Sequence, residues 1–245
     1  MEVNTKILQS ALAVVGTQTD LITFRPDADG WYIYARGLNN STLAEVRLGM
    51  GAFLDYAPAP EPFAVGTDDI LKALKSMGKT FVLSTGPGGA GMFRMVSDGM
   101  TVSLPELAAE LVDPRVPNLK RPDSAYARVP SAVFRKVIAA VDPKRVLQLR
   151  IALGPGGLTL TAADDSAAGA SVSVPAAECA DLRAPAVCTA AYSLETWTEF
   201  IKALPAGMDM DLQLASDYPA AVGFGDAGWS GRWVIAPQIS DGEGA

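Results

Sequence analysis

The sequence predicts an α+β fold of two duplicated domains, each with two helices packed on antiparallel strands. Three observations predict it. Leu71-Lys72-Ala73-Leu74 recurs as Ile201-Lys202-Ala203-Leu204, and each copy is followed by an alternating stretch, 80–84 in the first half and 210–214 in the second. Ile7 and Leu8 match Val133 and Phe134, residues 21–24 match 147–150, and Gly30-Trp31-Tyr32-Ile33 matches Gly157-Leu158-Thr159-Leu160. The offset stays near about 130 residues, the size of a whole domain and far longer than a solenoid repeat. Finally, four segments of helical period each carry one apolar stripe, and such a stripe has to be buried against a sheet or another helix.

Taken in order, Asn4 or Thr5 can cap a first helix ending near Gly16, with Ile7, Leu8, Ala11, Val14 and Val15 inward and Lys6, Gln9 and Ala13 outward. Stretches 21–25, 31–36 and 43–48 read as strands from their alternation and β-branched or aromatic content, and Asp27-Ala28-Asp29-Gly30 reads as a hairpin turn. Thr67 is placed as the cap of a second helix over 68–77, with Ile70, Leu71, Leu74 and Met77 inward, and Gly78 ends it. Asp68 and Asp69 suit its N-terminal dipole, and Lys72, Lys75 and Lys79 face outward. Strands follow at 80–85, 91–96 and 100–104.

Residues 113–122 hold three prolines without periodicity, so the domains are read as 1–112 and 126–245, joined by an extended linker over 113–125. The second half repeats the order. Ser131 is placed as the cap of a helix through Val141, with Val133, Phe134, Val137 and Ile138 inward and Arg135, Lys136 and Ala139 outward. Strands are expected at 145–153, 158–163 and 170–174. A fourth helix over 194–204 turns Leu194, Trp197, Ile201 and Leu204 inward and Thr198 and Lys202 outward, and strands at 209–215, 220–224 and 231–236 close the chain. Short strands are also expected at 2–4 and near 126–129, and the Gly-rich tail over 239–245 is expected to be flexible.

Composition narrows the chemistry. With 49% hydrophobic and 19% charged residues, 245 residues suffice for two self-supporting cores. No apolar run approaches the roughly 20 residues of a membrane helix, and the first ten residues lack the apolar core of a secretory signal, so a cytoplasmic protein is expected. The chain has no histidine, which removes the usual general base and the Ser-His and Cys-His pairs. Cys179 and Cys188 lack CxxC spacing and cannot complete a common zinc set without histidine, so two buried reduced thiols are expected. Most hydrolase readings are thereby disfavoured, and neither a metal site nor a cofactor is expected. The net charge of −7 opposes nucleic acid at long range, yet Lys6, Lys72, Lys75, Lys79, Arg135, Lys136, Lys144, Arg145 and Lys202 all fall on or just after the four helices.

The run Leu212-Gln213-Leu214-Ala215-Ser216-Asp217-Tyr218-Pro219, followed by Gly231-Arg232-Trp233-Val234-Ile235-Ala236-Pro237, resembles the closing strands of the DNA sliding clamps of the proliferating cell nuclear antigen (PCNA) family, archaeal and eukaryotic type. Ala35-Arg36-Gly37-Leu38 and Val129-Pro130-Ser131 resemble the family's central-loop entry and the start of its second domain. The resemblance implies the DNA clamp fold and a non-catalytic, homotrimeric processivity factor of replication and repair. It implies that the nine basic residues named above face double-stranded DNA without reading sequence. It also implies a pocket for short partner peptides, of a polymerase or a clamp loader among others, at Leu38, Thr42, Leu43, Val116, Leu119, Pro219, Val234, Ala236 and Pro237. Subunits would join edge to edge through Met100, Val102 and Leu104 of one copy against Ala170, Val172 and Val174 of the next, closing a ring.

Gln238 stands where a basic residue usually follows Ala-Pro, Val234 where an aromatic is common, and Leu38-Asn39-Asn40 where an acid is expected. These departures keep open a second reading, a clamp-like decoy or a subunit of a heteromeric ring. A third, an unrelated two-domain enzyme using carboxylates alone, requires acids to converge in a cleft. Gly86-Pro87-Gly88-Gly89-Ala90-Gly91 lacks the Lys-Ser/Thr of a P-loop and precedes a strand, so it is read as a hairpin. Asp164-Asp165 and Asp209-Met210-Asp211 lack the glycine and closing Glu of a calcium loop and are read as turn or strand-edge charge.

Overall fold

The structure, a computed structural model, describes residues 1–37, 40–57, 61–85, 91–108, 123–164 and 168–238. It divides into two compact units, Met1–Val116 with Gly225–Arg232, and Pro117–Phe224 with Trp233–Ala245.

The first unit runs β1 (Glu2–Asn4), α1 (Thr5–Gly16), β2 (Leu21–Asp27), β3 (Gly30–Arg36), β4 (Thr42–Gly49), β5 (Phe53–Asp55), β6 (Phe63–Gly66), α2 (Thr67–Leu74), β7 (Thr80–Ser84), β8 (Met92–Ser97), β9 (Met100–Pro105) and β10 (Leu107–Ala108). Its pairing is reciprocal. β1, which leads into α1, joins the later meander in the order β5-β1-β7-β8-β9, while β6, which leads into α2, joins the earlier one in the order β10-β6-β2-β3-β4. Every pairing is antiparallel, with Val3 opposite Phe81 and Ile22 opposite Val65. An aromatic cluster joins the inner faces of the two sheets: Phe24 stacks on Phe63 at 4.9 Å between ring centres, and Phe93 lies 5.6 Å from Phe63.

The second half of the chain repeats this order as β11 (Ala125–Pro130), α3 (Ser131–Ala139), β12 (Gln148–Gly154), β13 (Gly157–Ala163), β14 (Gly169–Pro175), β15 (Ala180–Arg183), β16 (Cys188–Ser193), α4 (Leu194–Ala203), β17 (Asp209–Leu214), β18 (Ala220–Asp226) and β19 (Trp229–Ile235). β16 crosses to pair with β12, and β11 crosses to pair with β17. Phe134 of α3 stacks on Trp197 of α4 at 4.7 Å, and Phe200 of α4 stacks on Trp233 at 4.0 Å.

Backbone hydrogen bonds fix the register of the duplication. Thr67 N–H donates to the Asp20 carbonyl as Leu194 N–H donates to that of Leu147, both at 2.9 Å. Thr5 N–H donates to the Lys79 carbonyl at 3.1 Å as Ser131 N–H donates to that of Met208 at 2.9 Å. Leu21 therefore corresponds to Gln148, one residue on from the match read in the sequence, which makes buried Ile22 the equivalent of buried Leu149. A slip of one along a strand exchanges its two faces. The Lys-Ala-Leu match is likewise displaced: counted from the helix starts, Leu74 corresponds to Ile201 and Lys75 to Lys202. A shift of three residues nearly preserves a helical stripe, so the sequence pattern survives it.

Several local expectations are corrected. Gly66, not Thr67, is the N-cap of α2; the Thr67 hydroxyl donates to the Thr19 carbonyl at 2.6 Å. Pro130, not Ser131, precedes α3, and Ser131 is wholly buried. Asn4 does cap α1, accepting from Ile7 N–H, and Ser193 caps α4. α2 stops at Leu74 and α3 at Ala139. The segment 145–147 is no strand, because Arg145 and Val146 donate their N–H groups to the Asp142 carbonyl. Thr198, expected outside, is buried and donates to the Leu194 carbonyl at 2.7 Å. Leu12 and Phe200 join the core stripes, while Ile7, Leu71, Val133 and Ile138 are only half-buried. Strands β5, β6, β10, β15 and β16 were not expected. The linker over 113–122, the loop 86–90 and the tail 239–245 lie outside the described residues.

The stacked pair Phe134–Trp197 closes α3 onto α4, so Phe134→Ala is expected to destabilise the second unit by about 3–5 kcal/mol. Denaturant unfolding of the full chain checks it; a loss under about 1 kcal/mol would show that the α3–α4 contact is not part of the core.

Candidate nucleic-acid interface and subunit edges

Around the start of α1 and the end of α2, Asn4, Thr5, Lys6, Gln9, Leu74, Lys75, Met77, Gly78 and Lys79 line an open depression in the first unit. The strand pair β1–β7 brings its two rims together, since Asn4 lies opposite Thr80 and Thr5 binds the Lys79 carbonyl and, through its hydroxyl, the Gly78 carbonyl. Three of the predicted lysines, Lys6, Lys75 and Lys79, thus converge, each exposed. Lys72 is exposed on α2. None of these four makes an ion pair among the described residues. One carboxylate lies near the rim: Asp98 packs against Gly78 and accepts from Ser97 Oγ at 3.2 Å.

In the second unit Lys136, Lys144, Arg145 and Lys202 are exposed, the first on α3, the last on α4, and the middle two in the turn after α3. Arg135 differs from them. It is half-buried, and its Nη2 donates to the Leu204 carbonyl at the end of α4, at 2.7 Å. A cation on the last carbonyl of a helix offsets the negative end of the dipole, so this guanidinium is occupied in holding α3 to α4.

The paired charges lie on strands. Arg47 on β4 binds Asp27 on β2 and reaches Asp29, and Tyr32 donates to Glu45 at 2.7 Å. On the second unit's sheet, Arg128 and Tyr126 of β11 both donate to Asp211 of β17, each at 2.8 Å. The guanidinium hydrogen bonds from Arg47 and Arg128 hold the carboxyls of Asp27 and Asp211 below the ordinary carboxylate range. Burial raises the Tyr126 hydroxyl, with Asp211 adding to it.

The predicted subunit edges are terminal strands: β9 ends its sheet next to β8, and β14 ends its sheet next to β13. Val102 and Leu104, opposite buried Met95 and Phe93, are half-buried, and Met100 is 41% exposed. Across β14, Ala170 and Val172 are half-buried and Val174 is buried. Both edges therefore carry an apolar row on the core side next to unextended backbone. Of the predicted peptide pocket, Thr42 and Leu43 are buried in the first unit; in the second, Val234 is buried and Pro219, Ala236 and Pro237 are half-buried. Leu38, Val116 and Leu119 lie outside the described residues. Beside the second group, Gln238 N–H donates to the Ala191 carbonyl at 2.8 Å, so the chain after β19 follows the outer edge of β16. Sequence reasoning missed that edge because β16 itself was not recognised. Cys179 and Cys188 are free and buried. No group of three or more metal-ligating side chains occurs among the described residues, and no described helix is long and apolar enough to cross a membrane.

Two predictions follow from these contacts. Arg135→Ala is expected to cost about 1.5–3 kcal/mol, the range for a hydrogen bond from a charged group, whereas Lys136→Ala stays within about 0.5 kcal/mol; equal effects in urea unfolding would contradict the assignment. Because Asp27 and Asp211 titrate lower in the folded state than unfolded, they stabilise above the ordinary carboxylate pKa, and that contribution is lost as pH falls through the folded values. The double variant D27N/D211N should show a shallower fall of melting temperature below about pH 4 than the parent chain; parallel acid limbs would refute it.

No family model matches the chain. A curated relative, the DNA polymerase sliding clamp of Methanocorpusculum labreanum, is 25% identical over 215 residues, covering 82% of this chain and 82% of that protein. The PCNA of A. fulgidus, solved with the C-terminal region of FEN-1 bound, superimposes with a TM-score of 0.87 at 17% identity, covering 98% of each chain. That of Thermococcus kodakaraensis gives 0.84 at 18%, over 97% of this chain and 99% of that one. The PCNA2–PCNA3 complex of Sulfolobus tokodaii gives 0.81 at 18%, over 97% and 99%. The fold is the DNA clamp fold, and in sequence and fold the chain is similar to the sliding clamps of the PCNA family, consistent with a diverged member of it.

Proposed function

We propose that three copies of this chain close head to tail around duplex DNA and hold replication and repair enzymes on it. The observation that carries the proposal is the separation of charge: among the described residues the exposed helix lysines make no ion pair, while the ion pairs lie on strands and their hairpin turns. Lys6, Lys72, Lys75, Lys79, Lys136, Lys144, Arg145 and Lys202 would attract phosphate without reading bases, and many weak contacts of that kind permit sliding. Arg135 is left out of that set because it serves the α3–α4 contact. Closure would pair β9 of one copy with β14 of the next, burying Met100, Val102 and Leu104 against Ala170, Val172 and Val174 and satisfying two strand edges at once. Partner peptides would seat on Thr42, Leu43, Pro219, Val234, Ala236 and Pro237 with Leu38, Val116 and Leu119, in the manner suggested by the A. fulgidus protein, solved with a segment of FEN-1 bound.

Light scattering on the full chain is expected to give the mass of three chains, and Val172→Asp, which places a charge on the β14 edge, is expected to reduce it to one. A parent chain that stays monomeric at micromolar concentration, or a variant that still assembles, would overturn the proposed closure.

A further inference from the structure

The duplication puts a specific question to the cationic depression: does the second unit possess its counterpart? The two main-chain bonds from Thr5 to Lys79 and from Ser131 to Met208 define the correspondence at this end of the helices. The strand registers agree, with Asn4 opposite Thr80 and Pro130 opposite Asp209. Lys6 therefore corresponds to Ala132, Gln9 to Arg135 and Lys79 to Met208. Of the three lysines, only Lys75 has a cationic counterpart, Lys202.

Each of the other positions has changed its physical role. Ala132 is exposed and carries no charge, and Met208 is buried, 8% exposed. Arg135 stands where Gln9 lines the depression, but its guanidinium is turned onto the Leu204 carbonyl. Asp209, next to Met208, is exposed where the first unit has Thr80. The first unit thus offers three ammonium groups, free of ion pairs among the described residues, around one concavity with the Asp98 carboxylate at its rim, while the second offers one ammonium with a carboxylate close in sequence. Lys136, Lys144 and Arg145 remain exposed, but outside the counterpart of the depression.

We infer that the two units of this chain are unequal toward duplex DNA: the depression bounded by Lys6, Gln9, Lys75 and Lys79 is the main seat for the phosphate backbone, and its counterpart in the second unit has been converted to a structural contact. The inference rests on the proposed DNA-encircling function and goes further, since a ring of three such chains would grip the duplex at alternate units. Concentration of charge favours this seat, because each phosphate neutralised releases counterions and adds about 0.9 to the salt slope of binding, and three ammonium groups around one hollow can follow a single strand's phosphates.

The test compares matched double variants of the full chain, binding a short fluorescein-labelled blunt DNA duplex by anisotropy across a salt series. K6A/K79A is expected to weaken binding about tenfold or more at low salt and to lower the salt slope by about one to two. K136A/K202A, which removes the same formal charge from exposed positions of the second unit, is expected to weaken it less than threefold. Ala132→Lys, which restores an exposed lysine opposite the first unit's Lys6, is expected to raise affinity. Equal losses from the two double variants would overturn the inequality while leaving the DNA-binding reading intact. Absence of any salt-dependent binding by the parent chain would overturn that reading and the inference with it. Circular dichroism of each variant, with melting temperatures near that of the parent, separates lost contact from lost fold.

Discussion

Reciprocal strand exchange is the constraint from which the rest of each unit follows. A strand that leads into a helix, β1 or β6, does not pair with the meander that follows its own helix; it pairs with the meander of the other motif. The same holds for β11 and β16. Neither motif can then fold its sheet alone, and each helix is tethered at its start to a sheet built mainly from the other motif. Long-range pairings of this kind are slow to form but leave few places for a register to slip, because each sheet has buried positions contributed by both motifs. Burial of Val3 against Phe81 and of Ile22 beside Val65, all at or near zero exposure, is where that constraint is enforced.

The exchange also explains which strand edges are left over. Once β1 has taken one side of β7 and β6 one side of β2, the outer flanks of β1 and β6 are closed by the short strands β5 and β10, and β15 does the same for β11. Among the described residues, β9 and β14 receive no such cover. They are six and seven residues long, and they carry apolar side chains on the core side up to the last position. Proteins usually blunt an edge of that length with charge, proline or a covering element. The only proline in each is its final residue, Pro105 and Pro175, so both edges are open for most of their length.

How legible this was in the sequence depended on period. Helix stripes were readable because Leu8, Ala11 and Val15, or Leu194, Trp197 and Ile201, repeat at a spacing that tertiary packing reinforces, and the hairpin over 27–30 was readable from Asp27 and Gly30, which supply a side-chain acceptor for Asp29 N–H and a positive φ of 133°. The strands that escaped had no such signal. β6 (Phe63–Gly66) is buried on both faces and so does not alternate, β16 is built of small residues around Ala190 and Ala191, and β5, β10 and β15 are two to four residues long. Caps were misassigned at Thr67 and Ser131 for one reason: each follows a strand directly, and its side chain is drawn into the core or onto a neighbouring carbonyl before it can serve the helix. Of the candidate site, the lysines were legible as a set, but the withdrawal of Arg135 was not, because its partner is a main-chain carbonyl on another helix.

Net charge is a poor guide to where such a protein meets a polyanion. Seven excess negative charges on 245 residues would repel DNA if they were spread evenly. The pairing of charges is uneven, however: Asp27 and Asp211 are held by arginines across strands, whereas the exposed lysines on the helices make no ion pair among the described residues. At physiological salt, a charge is screened within about 8 Å, so a phosphate entering the depression between α1 and α2 would respond mainly to Lys6, Lys75 and Lys79 and to Asp98 at the rim rather than to distant carboxylates. Remote acids would still act at longer range in dilute salt, opposing the approach of a polyanion. On the proposed reading, an acidic chain with a local cationic hollow would therefore hold DNA weakly and in one orientation, whereas a uniformly basic one would bind duplex from outside as readily as from within a ring.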